Sequence, residues 1–173
     1  PPTTWDDFRN IAKALTIKDD KGIISQAGAA MGRTENVDHW QEILALLMIQ
    51  NGVDLGNPTG KNAEDALTFF TLFSSGDGIW DTSLPTSTQE FAAGKLAMYL
   101  APSWRTFEIV QKNPNLKFKT VPVPQLPKDN PTQPDVTYAT YWAQGVWSKS
   151  ASKSTAWDFL NYLASTDSLQ KLY

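Results

Sequence analysis

The sequence predicts an α/β layered fold. Segments with apolar residues at helical spacing alternate with short β-type runs, which argues for helices layered on a sheet rather than a helical bundle. No internal repeat or low-complexity tract interrupts that alternation, and 173 residues suffice to bury a core without staples. The length fits one domain or two small lobes.

Thr4 is placed to cap the first helix, with Asp7 three residues on as a short stand-in for the capping-box glutamate. Phe8, Ile11, Ala12 and Leu15 then form one apolar stripe. Asp19-Asp20-Lys21-Gly22 reads as a turn, and Ile23 to Ala27 as a short strand entering the small-residue loop Gly28 to Gly32. The clearest helix runs from about Asn36 to Gln50, carrying Val37, Trp40, Ile43, Leu44, Leu47 and Met48, and Asn51-Gly52 stops it. Another starts near Asn62, buries Ala63, Ala66, Leu67, Phe70 and Phe73, and closes at Ser74-Ser75-Gly76.

Thr86 caps a short helix through Ala93; Leu96 to Ala101 reads as a strand, Pro102-Ser103 as a turn, and Trp104 to Lys112 as a helix capped by Ser103. Phe118 to Val123 is expected to be extended. Five prolines between Pro122 and Pro134 mark a linker or long surface loop. Val136 to Trp147, aromatic and β-branched, predicts a strand or strand pair. Ser152 to Ala164 predicts a helix with Ala156, Phe159, Leu160 and Leu163 inward, and the chain stops at Tyr173 just inside a further apolar-patterned helix.

Composition narrows function. A net charge of −3 argues against a nucleic-acid binder, which needs a basic excess. The absence of cysteine excludes disulfides, thiol catalysis and Cys-based zinc sites, and leaves the redox compartment open. The apolar run Ile43 to Ile49 is far short of the ~20 residues of a membrane span. The chain opens at Pro1-Pro2-Thr3 without an initiator Met, a basic region or an apolar leader, and reads as a piece of something longer.

Catalytic signals are weak. His39 is the single histidine, so no His-based metal cluster forms; a solvated or packing role competes with a ligand contact. Carboxylate pairs at Asp6/Asp7, Asp19/Asp20 and Glu64/Asp65 are explained by helix dipoles or turns. Glu35/Asp38 stands apart, because it lies between a strand end and a helix start, where open α/β sheets form their ligand crevice. Gly28 to Gly32 lacks the Lys-Ser/Thr of a phosphate loop, and Ser148, Ser150 and Ser152 have neither an elbow motif nor a histidine partner.

The aromatics say more, and seven tryptophans are many for this length. Most lie at core-facing helix positions. Trp104 follows a strand and a Pro-Ser turn, so its ring can project from the strand's carboxyl edge. Tyr138, Tyr141 and Trp142 lie in the run after the prolines, with Tyr138 and Trp142 on one face if it is a strand. Flat rings flanked by Glu, Asn, Gln and Arg suit a sugar, whose C–H face stacks while its hydroxyls bond the polar groups. Core or rim packing is the competing role for Trp104 and Trp142.

Pro2-Thr3-Thr4-Trp5-Asp6-Asp7-Phe8 resembles the "P-x-TWDEF" helix start of extracellular solute-binding proteins, the receptors of ATP-driven importers. Further similar segments follow in order: Gln50-Asn51-Gly52; Phe91-Ala92-Ala93-Gly94-Lys95-Leu96-Ala97-Met98, similar to "F-x-x-GKAAM"; Pro102-Ser103-Trp104; Val121-Pro122-Val123-Pro124-Gln125; and Ala156-Trp157-Asp158-Phe159-Leu160, similar to "AW-x-FL". The likeness is to the sugar-binding branch that includes maltose-binding proteins.

That resemblance implies a periplasmic-binding-protein-like lobe, a mixed sheet flanked by helices, within an incomplete two-lobed fold. Residues 1–124 would form the second lobe, 125–135 a proline-rich crossover, and 136–173 a segment returning toward a first lobe whose N-terminal part is absent. It implies no enzyme activity and no cofactor or metal. It carries the stacking aromatic onto Trp104, polar loop contacts onto Arg33, Glu35, Asn36 and His39, and cleft positions near the crossover onto Tyr141 and Trp142.

The function implied is capture of a sugar or oligosaccharide between two lobes and delivery to the membrane permease of an ABC importer. The protein would be a monomer, periplasmic or anchored at the extracellular surface of a bacterium. The alternatives are a carbohydrate-active hydrolase using Glu35 or Asp38, and an interaction fragment that binds no solute.

Overall fold

Thr4 caps α1 (Trp5–Leu15) as its spacing predicts: in a computed structural model describing residues 1–128, 130 and 132–172, its hydroxyl accepts from the Asp7 amide at 3.2 Å. Asp129 and Pro131 of the expected crossover, and Tyr173, lie outside the described residues. Trp5, Phe8 and Ala12 are buried on one face of α1, while Leu15, expected in that stripe, is exposed at the helix end.

The sheet has three strands in the order β1-β2-β3. β1 (Ile17–Lys18), which falls between the expected helix and the expected turn and belongs to neither, is antiparallel to β2 (Ile24–Ala29), with Ile17 opposite Gln26. β2 runs parallel to β3 (Leu96–Met98), with Ala27 opposite Leu96 and Ala29 opposite Met98. The sheet is therefore mixed, and the long β2-to-β3 crossover holds α2 (Trp40–Gln50), α3 (Lys61–Ser75) and α4 (Ser87–Ala92).

Burial gathers around α1, α3 and the β2 end. Phe73, Trp80, Met31, Ala12 and Ala29 are fully enclosed. Trp5, Phe8, Phe69 and Phe73 form an aromatic chain with ring centroids 5.4–5.9 Å apart, mostly edge to face. Each such ring contributes roughly 1.5–3 kcal/mol through burial alone. Arg9 on α1 holds Asp77 through two bonds of 2.6 and 2.9 Å, pinning the turn after α3 to α1.

Several expected elements differ. The helix expected from Asn36 begins only at Trp40, because the Asn36 side chain bonds the Asp81 and Leu84 carbonyls, that of Asp38 bonds Thr88, and His39 is left-handed. The strand expected to reach Ala101 ends at Met98, and 118–123 makes no ladder; Gln125 instead forms an isolated bridge with Thr4. α5 (Arg105–Lys112) starts as expected, although Ser103 serves it through its carbonyl rather than its hydroxyl.

The chain divides into two compact units, Pro1–Tyr138 and Ala139–Tyr173. Within the second, α6 (Lys153–Leu163) and α7 (Thr166–Leu172) follow an irregular stretch. The strand or strand pair expected over 136–147 is absent: no neighbouring strand pairs with it, the Val136 backbone is held by the Gln50 and Gln125 side chains, and Tyr141 and Trp142 are exposed. The inward face expected for α6 is not buried either, and Phe159 is 59% exposed. So short a unit has little chain with which to cover an apolar face.

Candidate functional site

Because β2 and β3 are parallel, their carboxyl ends share one edge of the sheet, and the chain leaves that edge twice. After β2 it forms the loop 30–39; after β3 it forms 99–104. Open α/β sheets bind ligands at such an edge.

The first loop is fixed from inside. Asn36 is buried, and its amide donates to the carbonyls of Asp81 at 2.8 Å and Leu84 at 2.9 Å while its oxygen accepts from the Trp80 indole at 2.9 Å. Those bonds turn Asn36 away from the edge and make it a staple of the loop. Arg33 also turns aside, donating to the Ser74 hydroxyl on α3 at 2.6 Å. Glu35 remains exposed, its carboxylate accepting from the Thr34 amide at 3.1 Å. Backbone hydrogen bonds from its own and the Thr34 amides hold that carboxyl below its ordinary value.

Asp38 is tied to α4. Its carboxylate accepts from the Thr88 hydroxyl at 2.6 Å and the Thr88 amide at 2.9 Å. The single Thr88 hydroxyl proton goes to Asp38, so Tyr99 donates to Thr88 across 2.6 Å. Burial opposes ionisation of Asp38, but the Thr88 bonds and the nearby Arg105 outweigh it and lower the value. Burial also pushes the Tyr99 phenol up.

His39 and Trp104 come together from the two loops, with centroids 5.4 Å apart and rings near perpendicular. Trp104 is 53% exposed. The Arg105 guanidinium carbon lies 4.6 Å from the centre of the Trp104 ring, while its Nε donates to His39 Nε2 at 2.9 Å and another nitrogen bonds Glu108. On its other side His39 Nδ1 faces Glu42 at 3.3 Å. His39 is the one non-glycine with positive φ among the described residues, at 63°, a conformation that costs energy unless its surroundings impose it.

Of the residues expected at a site, the structure thus joins Trp104 and His39, leaves Glu35 at the loop surface, and commits Arg33 and Asn36 to loop structure. Tyr141 and Trp142 belong to the second unit, where both are exposed. Sequence reading missed Arg105, Glu108, Glu42 and the Asp38–Thr88–Tyr99 chain. Arg105 beside Trp104 with Glu108 three residues on was a readable helix-surface pair; Thr88 and Tyr99, distant in sequence, carried no local signal.

A cavity of about 710 Å³ lies between β3 and residues 116–124, walled by Phe8, Ile11 and Leu15 with Ser103 and Arg105 also among its lining. Trp104 is not part of its wall. No cluster able to hold a metal ion occurs among the described residues. Nor is any helix among them long and apolar enough to cross a membrane.

A hydrolase pair at Glu35/Asp38 is not supported by this geometry. Hydrolysis needs one carboxyl raised as a proton donor. Both are lowered here, and Asp38 is occupied by Thr88.

All 173 residues match the family described as bacterial extracellular solute-binding protein, a family of binding proteins rather than enzymes that act outside the cytoplasm. No curated protein sequence matches the chain. Among solved structures it is similar to the maltose/maltodextrin-binding domain MalE from Bdellovibrio bacteriovorus bound to maltotriose, with a TM-score of 0.66 and 18% identity. The match covers 97% of this chain and 45% of that one, so the chain spans less than half the length of its structural relative. The shared fold is the α/β fold of that binding protein.

Proposed function

This chain belongs to the bacterial extracellular solute-binding proteins, and from that premise we propose that it supplies part of the capture site for a neutral sugar or oligosaccharide. The carrying observation is the half-exposed Trp104 ring at the sheet edge, surrounded by polar groups that already have hydrogen-bonding partners. Arg105 is answered by Glu108, Asp38 by Thr88, and His39 by Glu42. Such a site offers a flat apolar face beside ordered hydrogen-bonding groups, which suits the C–H face and hydroxyls of a sugar. The maltotriose bound by the similar MalE domain supports the same ligand class.

Trp104 stacks on the sugar with His39 beside it and Glu35 bonds its hydroxyls, while Arg33 and Asn36 shape the loop. The sugar is held between two lobes and passed to the membrane permease of an importer, with the receptor monomeric and either periplasmic or surface-anchored.

Titrating maltotriose into ¹⁵N-labelled protein tests this reading by NMR. The Trp104 indole N–H signal should shift, and Trp104→Ala should weaken binding about tenfold, near 1.4 kcal/mol, without unfolding the chain. If tens of millimolar sugar left every loop signal in place, the non-binding reading would replace it.

A further inference from the structure

We propose that Arg105 is a positioning residue for Trp104, and that His39 sets it by staying neutral with its proton on Nδ1. The bonding leaves one arrangement. The Arg105 Nε–H can only donate, and it points at His39 Nε2 across 2.9 Å, so that nitrogen must be bare. The ring proton then lies on Nδ1, where Glu42 Oε1 at 3.3 Å accepts it. Arg105 is thus held at Nε by His39 and at a terminal nitrogen by Glu108, with its guanidinium carbon 4.6 Å from the centre of the Trp104 ring. The ring's orientation is set by a guanidinium that is itself held at two points.

The groups facing this cluster come from three elements. Glu42 stands on α2, Glu108 on α5 with Lys112 at 3.6 Å, and Asp38 in the loop, where the Thr88 hydrogen bonds and the nearby Arg105 favour its ionised form. A second proton on His39 must go to Nε2. It would remove the acceptor of Arg105 and place a positive imidazole against a guanidinium. The carboxylates of Glu42 and Glu108 can then each hold one cation, and the link between the two breaks. Trp104 loses its fixed orientation on the acid side of the His39 titration. The left-handed backbone at His39 fits this role, since it is what turns the ring between Glu42 and Arg105.

The single histidine makes the test direct. Long-range ¹H–¹⁵N correlation spectra should show the Nδ1–H tautomer at neutral pH. On acidification the Trp104 indole signal should move with the same midpoint as the His39 ring, and His39→Gln, whose amide can accept from Arg105 and donate to Glu42 at any pH, should abolish that step. Arg105→Lys, which keeps the charge but not the planar fork, should leave His39 titrating and Trp104 indifferent to it. An Nε2–H tautomer at neutral pH, or a Trp104 signal that ignores the His39 titration, overturns the proposal.

The ligand consequence rests on the sugar-binding reading: affinity for maltotriose should fall about tenfold across the same step, and not in His39→Gln. If the tautomer and the Trp104 step are present but maltotriose does not bind, the sugar reading fails and the positioning role stands. If maltotriose binds but neither its affinity nor the Trp104 signal changes when His39 takes its second proton, the positioning role fails and the sugar reading stands.

Discussion

Asp77 shows what one carboxylate does in this molecule. Its side chain is only 7% exposed, and Arg9 grips both oxygens while Lys13 stands 3.4 Å from one of them. The Arg9 bond holds its value below the ordinary one, so Asp77 stabilises the fold at neutral pH. That contribution is intact above the unfolded-state value and disappears as pH falls through the lower folded-state one. Urea unfolding should therefore show stability dropping below roughly pH 4. Asp77→Asn should be about 1–2 kcal/mol less stable at pH 7, a figure kept small because Arg9 is partly open to solvent, and flatter on the acid side. A variant that keeps the full acid slope would assign it to other carboxylates. No sequence signal joined Arg9 to Asp77, since local spacing cannot report a partner 68 positions away. The same limit hid the bonding of Asn36: the family resemblance carried a ligand contact onto its loop, but Trp80 and the Asp81 and Leu84 carbonyls, which turn it inward, lie far along the chain.

Elements were legible wherever apolar period and local caps agreed. α1 and α3 fall close to where Thr4, Phe8, Phe70 and Phe73 place them, and Gly52, with φ 74°, ends α2 as a stop glycine should. The run over 136–147 misled because β-type composition describes residues that suit a pleated surface, not the presence of a strand to pair with. The start of α2 misled because the Asn36 and Asp38 side chains bond the distant segment around Asp81, Leu84 and Thr88, which holds their loop out of the helix. Gly28 was read only as part of a small-residue loop, whereas it lies within β2 and lets α1 sit directly on the sheet. A Cβ there would fall 1.8 Å from the Ala12 carbonyl oxygen, which is backbone and cannot swing away. Gly28→Ala should push α1 off β2 and cost about 3 kcal/mol, read as a lowered urea midpoint. An unchanged midpoint would mean the helix shifts freely, contrary to the packing of Ala12.

At the scale of the whole chain, stability is unevenly shared. Core residues gather in the unit Pro1–Tyr138, while α6 in the other unit buries none of its side chains. Hydrogen exchange on the intact chain should show slow amides in α1, β2 and α3 and rapid exchange throughout α6, because helical bonds without apolar cover open locally. Protection of α6 equal to that of α3 would contradict this.

Gln50, at the end of α2, ties the first unit together. Its oxygen accepts from the Trp5 indole at 2.6 Å, and its nitrogen donates to the carbonyls of Pro124 at 3.0 Å and Val136 at 2.9 Å. Those partners lie 45, 74 and 86 positions away. Long loops must close before any of the three bonds can form, so this side chain contributes late on the folding route. Its energy belongs to the barrier against leaving the native state rather than to the speed of reaching it, and the molecule's lifetime depends on one glutamine more than its folding rate does.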